Sequence, residues 1–148
     1  MKYIINCSIF LLIFINQGCK KCDACFSPPN PFLFEIVDKS TGENLFFNKT
    51  YSATDIEVIN SLDSQNIKFS FLVENDINLI QINSIGWATE KVNIQINISN
   101  QNIFNLYVDA ERVSEDCCSF TRYNELKIEN ADFELDSMKE IYKILIDL

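Results

Sequence analysis

The sequence predicts an all-β protein, an antiparallel β-sandwich of about 7–9 strands over residues 32–148, behind a short N-terminal leader. Three observations lead there. Short runs rich in β-branched and aromatic residues recur along the chain, each bounded by turn chemistry. Between Lys91 and Ile98, Val92, Ile94, Ile96 and Ile98 alternate with Asn93, Gln95 and Asn97, a period of two that buries one face and wets the other. Helix signals are weak, and the best of them is only a turn near Asp136 to Glu140, where Asp136 or Ser137 can cap. The chain of 148 residues has one-domain size, and 47% hydrophobic residues supply a core.

The elements follow in order. Phe32-Leu33-Phe34-Glu35-Ile36-Val37 is the first strand, Asp38 to Asn44 a turn, and Leu45-Phe46-Phe47 resumes the strand. Further strands are expected over Asp55 to Asn60, Ile67 to Glu74, Asn78 to Asn83, Lys91 to Ile98, Ile103 to Val113, Tyr123 to Glu129 and Ile141 to Ile146. Spacing of this kind fits a sandwich or barrel better than βαβ units. Internal repeats and low-complexity segments are absent.

The N-terminus reads differently. Lys2 is followed by an apolar segment from Tyr3 to Ile15 and then by Asn16, Gln17 and Gly18, the order of a secretory signal. The apolar run is short of the roughly 20 residues that a membrane-spanning helix needs. "INQGCKKCDAC" resembles the lipobox of bacterial lipoproteins, in which cleavage precedes a lipid-modified cysteine. Gly18 fills the small-residue position, and Asn16 replaces the usual Leu, as in the relaxed versions of Bacteroidetes lipoproteins. The resemblance implies a signal peptide at 1–18, lipidation of Cys19, a Cys/Pro-rich tether at 19–31 and a body at 32–148. Three acyl chains on Cys19 would make a lasting anchor, because two or more suffice. The implied location is the bacterial outer membrane, with the membrane itself as the first partner. Lys20, Lys21, Cys22 and Asp23 match export motifs poorly and leave the leaflet undecided.

"FEIVDKSTGENLF" resembles the first hairpin of prealbumin-like or carboxypeptidase-regulatory-like domains, which implies an Ig-like or prealbumin-like sandwich. "CDACFSPP" and "YVDAERVSEDCCSFTRYNEL" resemble small lipoproteins of Bacteroidetes, a likeness that implies no activity.

Beyond the lipid site, Cys22, Cys25, Cys117 and Cys118 remain once Cys7 leaves with the signal. Outside the inner membrane disulfides are the default, and the leading expectation is two bridges linking Cys22 and Cys25 to Cys117 and Cys118. Four cysteines allow three pairings. Other pairings, free thiols, a four-thiolate zinc site and a redox C-x-x-C are the alternatives. Adjacent cysteines chelate one ion poorly, and Pro28, Pro29 and Pro31 prevent the helix that a redox motif opens. A bridge across about 95 residues would stabilise by roughly 4–5 kcal/mol in the chain-entropy model.

Formal net charge is -9, and loss of Lys2 takes it to -10, so nucleic acid and anionic lipid are poor partners for the body. The chain is rich in Ile and Asn, as AT-rich genes produce, and single Asn residues therefore carry little signal. No His is present, which removes the commonest general base and zinc ligand. Glu115 with Asp116, or Glu134 with Asp136, reads as a solvated acidic face rather than a glycosidase pair. No G-x-S-x-G, glycine-rich phosphate cradle or EF-hand spacing occurs. The expectation is a non-enzyme without a cofactor.

Val108 to Tyr123 is the most distinctive part of the body. One reading is a cystine-locked interaction loop exposing Arg112, Phe120, Arg122 and Tyr123 to a protein or glycan partner. The favoured one is a strand connection, with Arg112 and Arg122 pairing Asp109, Glu111, Glu115 or Asp116. Trp87 is expected as a core or edge aromatic rather than a ligand platform. Asp136-Ser137-Met138 matches the short O-glycosylation pattern of Bacteroidetes. The expected function is a membrane-anchored envelope lipoprotein acting as a non-catalytic binding module. A purely structural envelope protein and a zinc or calcium protein are the alternatives, and no residue sets an oligomeric state.

Overall fold

Alternation in the sequence becomes burial in the fold. In the computed structural model, which describes residues 25–74, 77–115 and 117–148, the strand Glu90–Ile98 buries Val92, Ile94, Ile96 and Ile98 and leaves the intervening polar residues nearer solvent. In chain order the strands are β1 (Cys25–Phe26), β2 (Phe32–Asp38), β3 (Ile56–Asn60), β4 (Gln65–Asn66), β5 (Ser70–Glu74), β6 (Ile77–Ile82), β7 (Glu90–Ile98), β8 (Gln101–Glu115), β9 (Cys118–Glu129), β10 (Asp132–Asp136) and β11 (Ile141–Ile146). No α-helix occurs among the described residues.

Two sheets form, in the order β1-β9-β8-β7-β3-β4 and β10-β11-β2-β6-β5. Their inner faces share one core. Phe34, Ile36, Ile80, Ile82 and Ile144 of the second sheet pack with Val58, Ile94, Ile96, Phe104, Leu106 and Val108 of the first. The rings of Phe34 and Phe104 lie 4.9 Å apart across the gap. Full burial of each such side chain is worth about 1.5–3 kcal/mol, which holds the sheets together.

The sandwich is all-β as expected, with two differences. It has eleven strands among the described residues rather than about 7–9, since β1, β4 and β10 were not anticipated. Nor is it purely antiparallel. β11 returns from its hairpin with β10 to lie parallel to β2, matching Ile141 with Leu33 and Ile144 with Ile36. β1 lies parallel to β9.

Leu45-Phe46-Phe47 does not resume a strand. The Asn44 side chain accepts from the Phe46 and Phe47 N–H groups at 3.0 Å each and donates to the Asn78 carbonyl at 3.0 Å and Glu35 Oε1 at 3.2 Å. These bonds curl the chain inward and drop Leu45 and Phe46 into the core. The turn before it forms as expected. Asp38 Oδ1 accepts from the Ser40 and Thr41 N–H groups at 2.7 and 2.8 Å, and Gly42 takes a left-handed φ of 74°.

β8 and β9 are longer than the other strands, and their pairing shifts register between Asp109 and Ala110, leaving Asn124 as the extra residue. β7 begins at Glu90, opposite Ala110. Residues 111–115 and 118–122 therefore project past β7 as a two-stranded arm, and this arm receives β1.

Candidate functional site

The site is a clasp between the arm and the segment Cys25 to Pro31. Cys25 is bonded to Cys118 across a separation of 93 residues, with Cα atoms 4.4 Å apart. The same residues are paired in the parallel ladder of β1 and β9. The Cys25 N–H donates to the Cys117 carbonyl at 3.2 Å, and the Ser27 N–H to the Ser119 carbonyl at 2.9 Å. The prolines that follow lack N–H donors, so the ladder cannot continue and the chain crosses to β2.

Arg112 holds the middle of the clasp. Its Nη1 donates to the Ser27 carbonyl and to Thr121 Oγ1, both at 2.9 Å. Its Nη2 donates to the Ser119 carbonyl and hydroxyl at 3.2 Å each. The guanidinium carbon sits 4.6 Å from the centre of the Phe26 ring, within cation–π range. Phe26 in turn stacks on Trp87 at 6.1 Å. Trp87 is an edge aromatic, 53% exposed, and its indole N–H is spent on the Asn83 carbonyl at 2.8 Å.

Thr121 passes the network on by donating to the Gly86 carbonyl at 2.6 Å. Gly86 has φ 89°, and a Cβ there would lie 2.8 Å from Thr121 Cγ2, 3.1 Å from the Tyr123 hydroxyl and 3.3 Å from Pro29 Cβ. Only glycine lets the backbone come this close. Its N–H donates to Glu90 Oε1 at 2.7 Å. Tyr123 donates to the Asn30 carbonyl at 3.3 Å and meets Phe32 edge-on at 5.3 Å. Burial, and then the charge of Glu90, raise its hydroxyl above the usual tyrosine range.

Arg112, Phe120, Arg122 and Tyr123 thus lie on two strands rather than on a loop, and β9 divides them. Arg112 and Tyr123 face residues 25–31. Arg122 pairs with Glu115 at 3.0 Å and Glu111 at 3.8 Å, close to Phe120. The ion pairs of Arg122 are those the sequence led us to expect. Arg112 instead binds carbonyls and hydroxyls, and its chief partner Ser27 is 85 positions away.

Cys19 and Cys22 lie outside the described residues. Cys117 is also disulfide-bonded, and since Cys25 and Cys118 hold each other, its partner lies outside the described residues as well. A cystine sulfur is not a thiolate donor, which favours disulfides over a zinc site. Among the described residues no three His, Cys, Asp or Glu side chains gather as a metal site, and no helix is long and apolar enough to cross a membrane. Asp136 accepts from the Met138 and Lys139 N–H groups in the hairpin between β10 and β11, leaving Met138 92% exposed.

Sequence reasoning missed Gly86 and Thr121. Gly86 carries a signal in the sequence, being one of three glycines and adjacent to Trp87. No family model, curated protein or solved structure matches the chain. The likeness to prealbumin-like domains therefore rests on the hairpin residues alone.

Proposed function

We propose that the protein is a lipid-anchored envelope lipoprotein, attached through Cys19, whose sandwich is a non-catalytic binding module held in a fixed relation to the membrane. The observation that carries this reading is the clasp. A disulfide, a parallel ladder and the Arg112 fork all bind the body to a segment only six residues after Cys19. A flexible tether needs none of these. Six extended residues reach about 20 Å at most, so an acylated Cys19 would keep the arm close to the bilayer. With Cys25 bound to Cys118 and Cys19 acylated, Cys22 is the remaining partner for Cys117. The proposed partners are envelope proteins or glycans, and the acidic body would avoid nucleic acid.

The test joins chemistry to location. Labelled palmitate should enter the wild-type chain and not Cys19→Ser, and only the wild type should fractionate with membranes. Intact mass should show a mature species starting at Cys19, three acyl chains heavier and four hydrogens lighter for two disulfides. Capture from membranes at low salt should recover a specific partner. Equal membrane retention of Cys19→Ser would end the anchored reading, and empty capture would leave a purely structural module.

A further inference from the structure

On one side of the sandwich, among the described residues, the first sheet ends in β9 with only a two-residue β1 beyond it and the second sheet ends in β10. In the first sheet β1 covers only Cys118 and Ser119 of β9, so among the described residues the edge of β9 from Asn124 to Glu129 has no strand beyond it. In the second sheet β10 is the terminal strand. Between these edges lies a cleft of about 320 Å³, with Phe32, Tyr123, Leu126, Leu135, Tyr142 and Glu140 on its walls. Phe133 and Leu135 of β10 are 43% and 51% exposed, which is uncommon for large apolar side chains facing between two sheets.

An unpaired edge beside an apolar cleft is the geometry for β-strand addition, in which backbone bonds supply affinity and alternate side chains enter the cleft. The charge around it selects the guest. Residues 124–140 carry six acidic groups, Glu125, Glu129, Asp132, Glu134, Asp136 and Glu140, against Lys127 and Lys139. Glu125 is paired with Lys127 at 2.7 Å and Asp132 with Lys39 at 2.9 Å, which leaves Glu129, Glu134, Asp136 and Glu140 outside any ion pair among the described residues. A second copy would bring the same acidic edge and be repelled.

We infer that the open side between β9 and β10 binds an extended, basic polypeptide segment whose alternate side chains are apolar, pairing with Asn124 to Glu129. This rests on the binding-module reading above and supplies its partner class. Complementary charge would set the on-rate and register, while the cleft retains the strand.

The probe is a nine-residue peptide of alternating lysine and valine with blocked ends, and its comparator replaces lysine with glutamate. Both are titrated into the full chain purified in detergent, with amide exchange as the readout. The basic peptide should bind at one site and slow exchange at 124–129 by about tenfold, with no change at the opposite edge, β5. The acidic peptide should not protect. Glu125→Lys with Glu129→Lys should weaken binding by about tenfold. If that variant fails to fold, as Trp87 fluorescence would report, the two peptides on the wild type decide. No protection at 124–129, equal protection of β5, or equal binding of both peptides overturns the inference. Such a failure with palmitate still incorporated leaves the anchored reading intact, whereas loss of anchoring with peptide binding retained does the reverse.

Discussion

Gly86→Ala tests whether the clasp depends on close backbone approach, and Gly42→Ala is its control. Both glycines have left-handed φ values, 89° and 74°. An L-residue in that region costs about 1–2 kcal/mol, and the gain from a stiffer unfolded chain, about 0.4–1 kcal/mol, is common to both. Only their surroundings differ. A Cβ at Gly42 meets nothing within 4 Å, while at Gly86 it would lie 2.8 Å from Thr121 Cγ2, with Tyr123 and Pro29 also crowding it. Overpacking of this kind costs about 1–3 kcal/mol, so Gly86→Ala should lose that much more stability than Gly42→Ala. Urea unfolding measures the gap, and Trp87, the one tryptophan, sits beside the site as the fluorophore. With a slope of about 1–3 kcal/mol/M, the two midpoints should separate by roughly 1 M. Gly86→Ala should also speed exchange of the Ser27 amide, which bonds to β9. Equal midpoints for the two variants would refute the close approach.

Arg112→Met keeps much of the apolar stem and removes the fork; it should cost about 2–3 kcal/mol, since a hydrogen bond to a charged group contributes about 1.5–3 net and this guanidinium is only half-buried, and should free the Cys25 and Ser27 amides to exchange. Asn44→Leu strands the Phe46 and Phe47 N–H groups and the Asn78 carbonyl, and should cost about 2–4 kcal/mol, read as a lower thermal midpoint. The Asp38 carboxyl is held below its usual range by the Ser40 hydroxyl first and the Thr41 N–H second. Its contribution is therefore full above the unfolded pKa near 4 and is lost as pH falls through the lower folded value. Asp38→Asn keeps the acceptor oxygen and should flatten that acid limb in pH-dependent unfolding. Removing the Cys25–Cys118 bridge opens a loop spanning 93 positions, worth up to about 4.7 kcal/mol. The Cys25→Ser/Cys118→Ser variant should lose less than that, because Cys117 is still cross-linked, and full reduction should lose more.

Strands whose burial is set within the strand were legible. Val92, Ile94, Ile96 and Ile98 alternate in sequence and are buried on one face of β7. β10 alternates too, as Asp132-Phe133-Glu134-Leu135-Asp136, but its acids hid a strand that leaves both of its apolar residues exposed. Asn44 shows a different limit. Among many asparagines it carried no signal, yet it is buried and fully hydrogen-bonded, and that environment exists only once the chain has turned. Of the arm only the cystine was legible, Cys25–Cys118 being one of the pairs expected; the connection expected before Tyr123 is strand from Cys118 onward. The role of Arg112 was not, because local acids were its obvious partners on paper. The fold instead brings it Ser27, whose carbonyl needs no sequence signature to accept a hydrogen bond.

The direction of β1 has a mechanical side. Because it runs parallel to β9 and is welded to it at Cys118, tension arriving from upstream of Cys25 bypasses the two-residue ladder and enters β9 through sulfur. From there it spreads over the eleven register pairs that join β9 to β8. Peeling β1 away residue by residue is not open to such a pull while the bridge is intact.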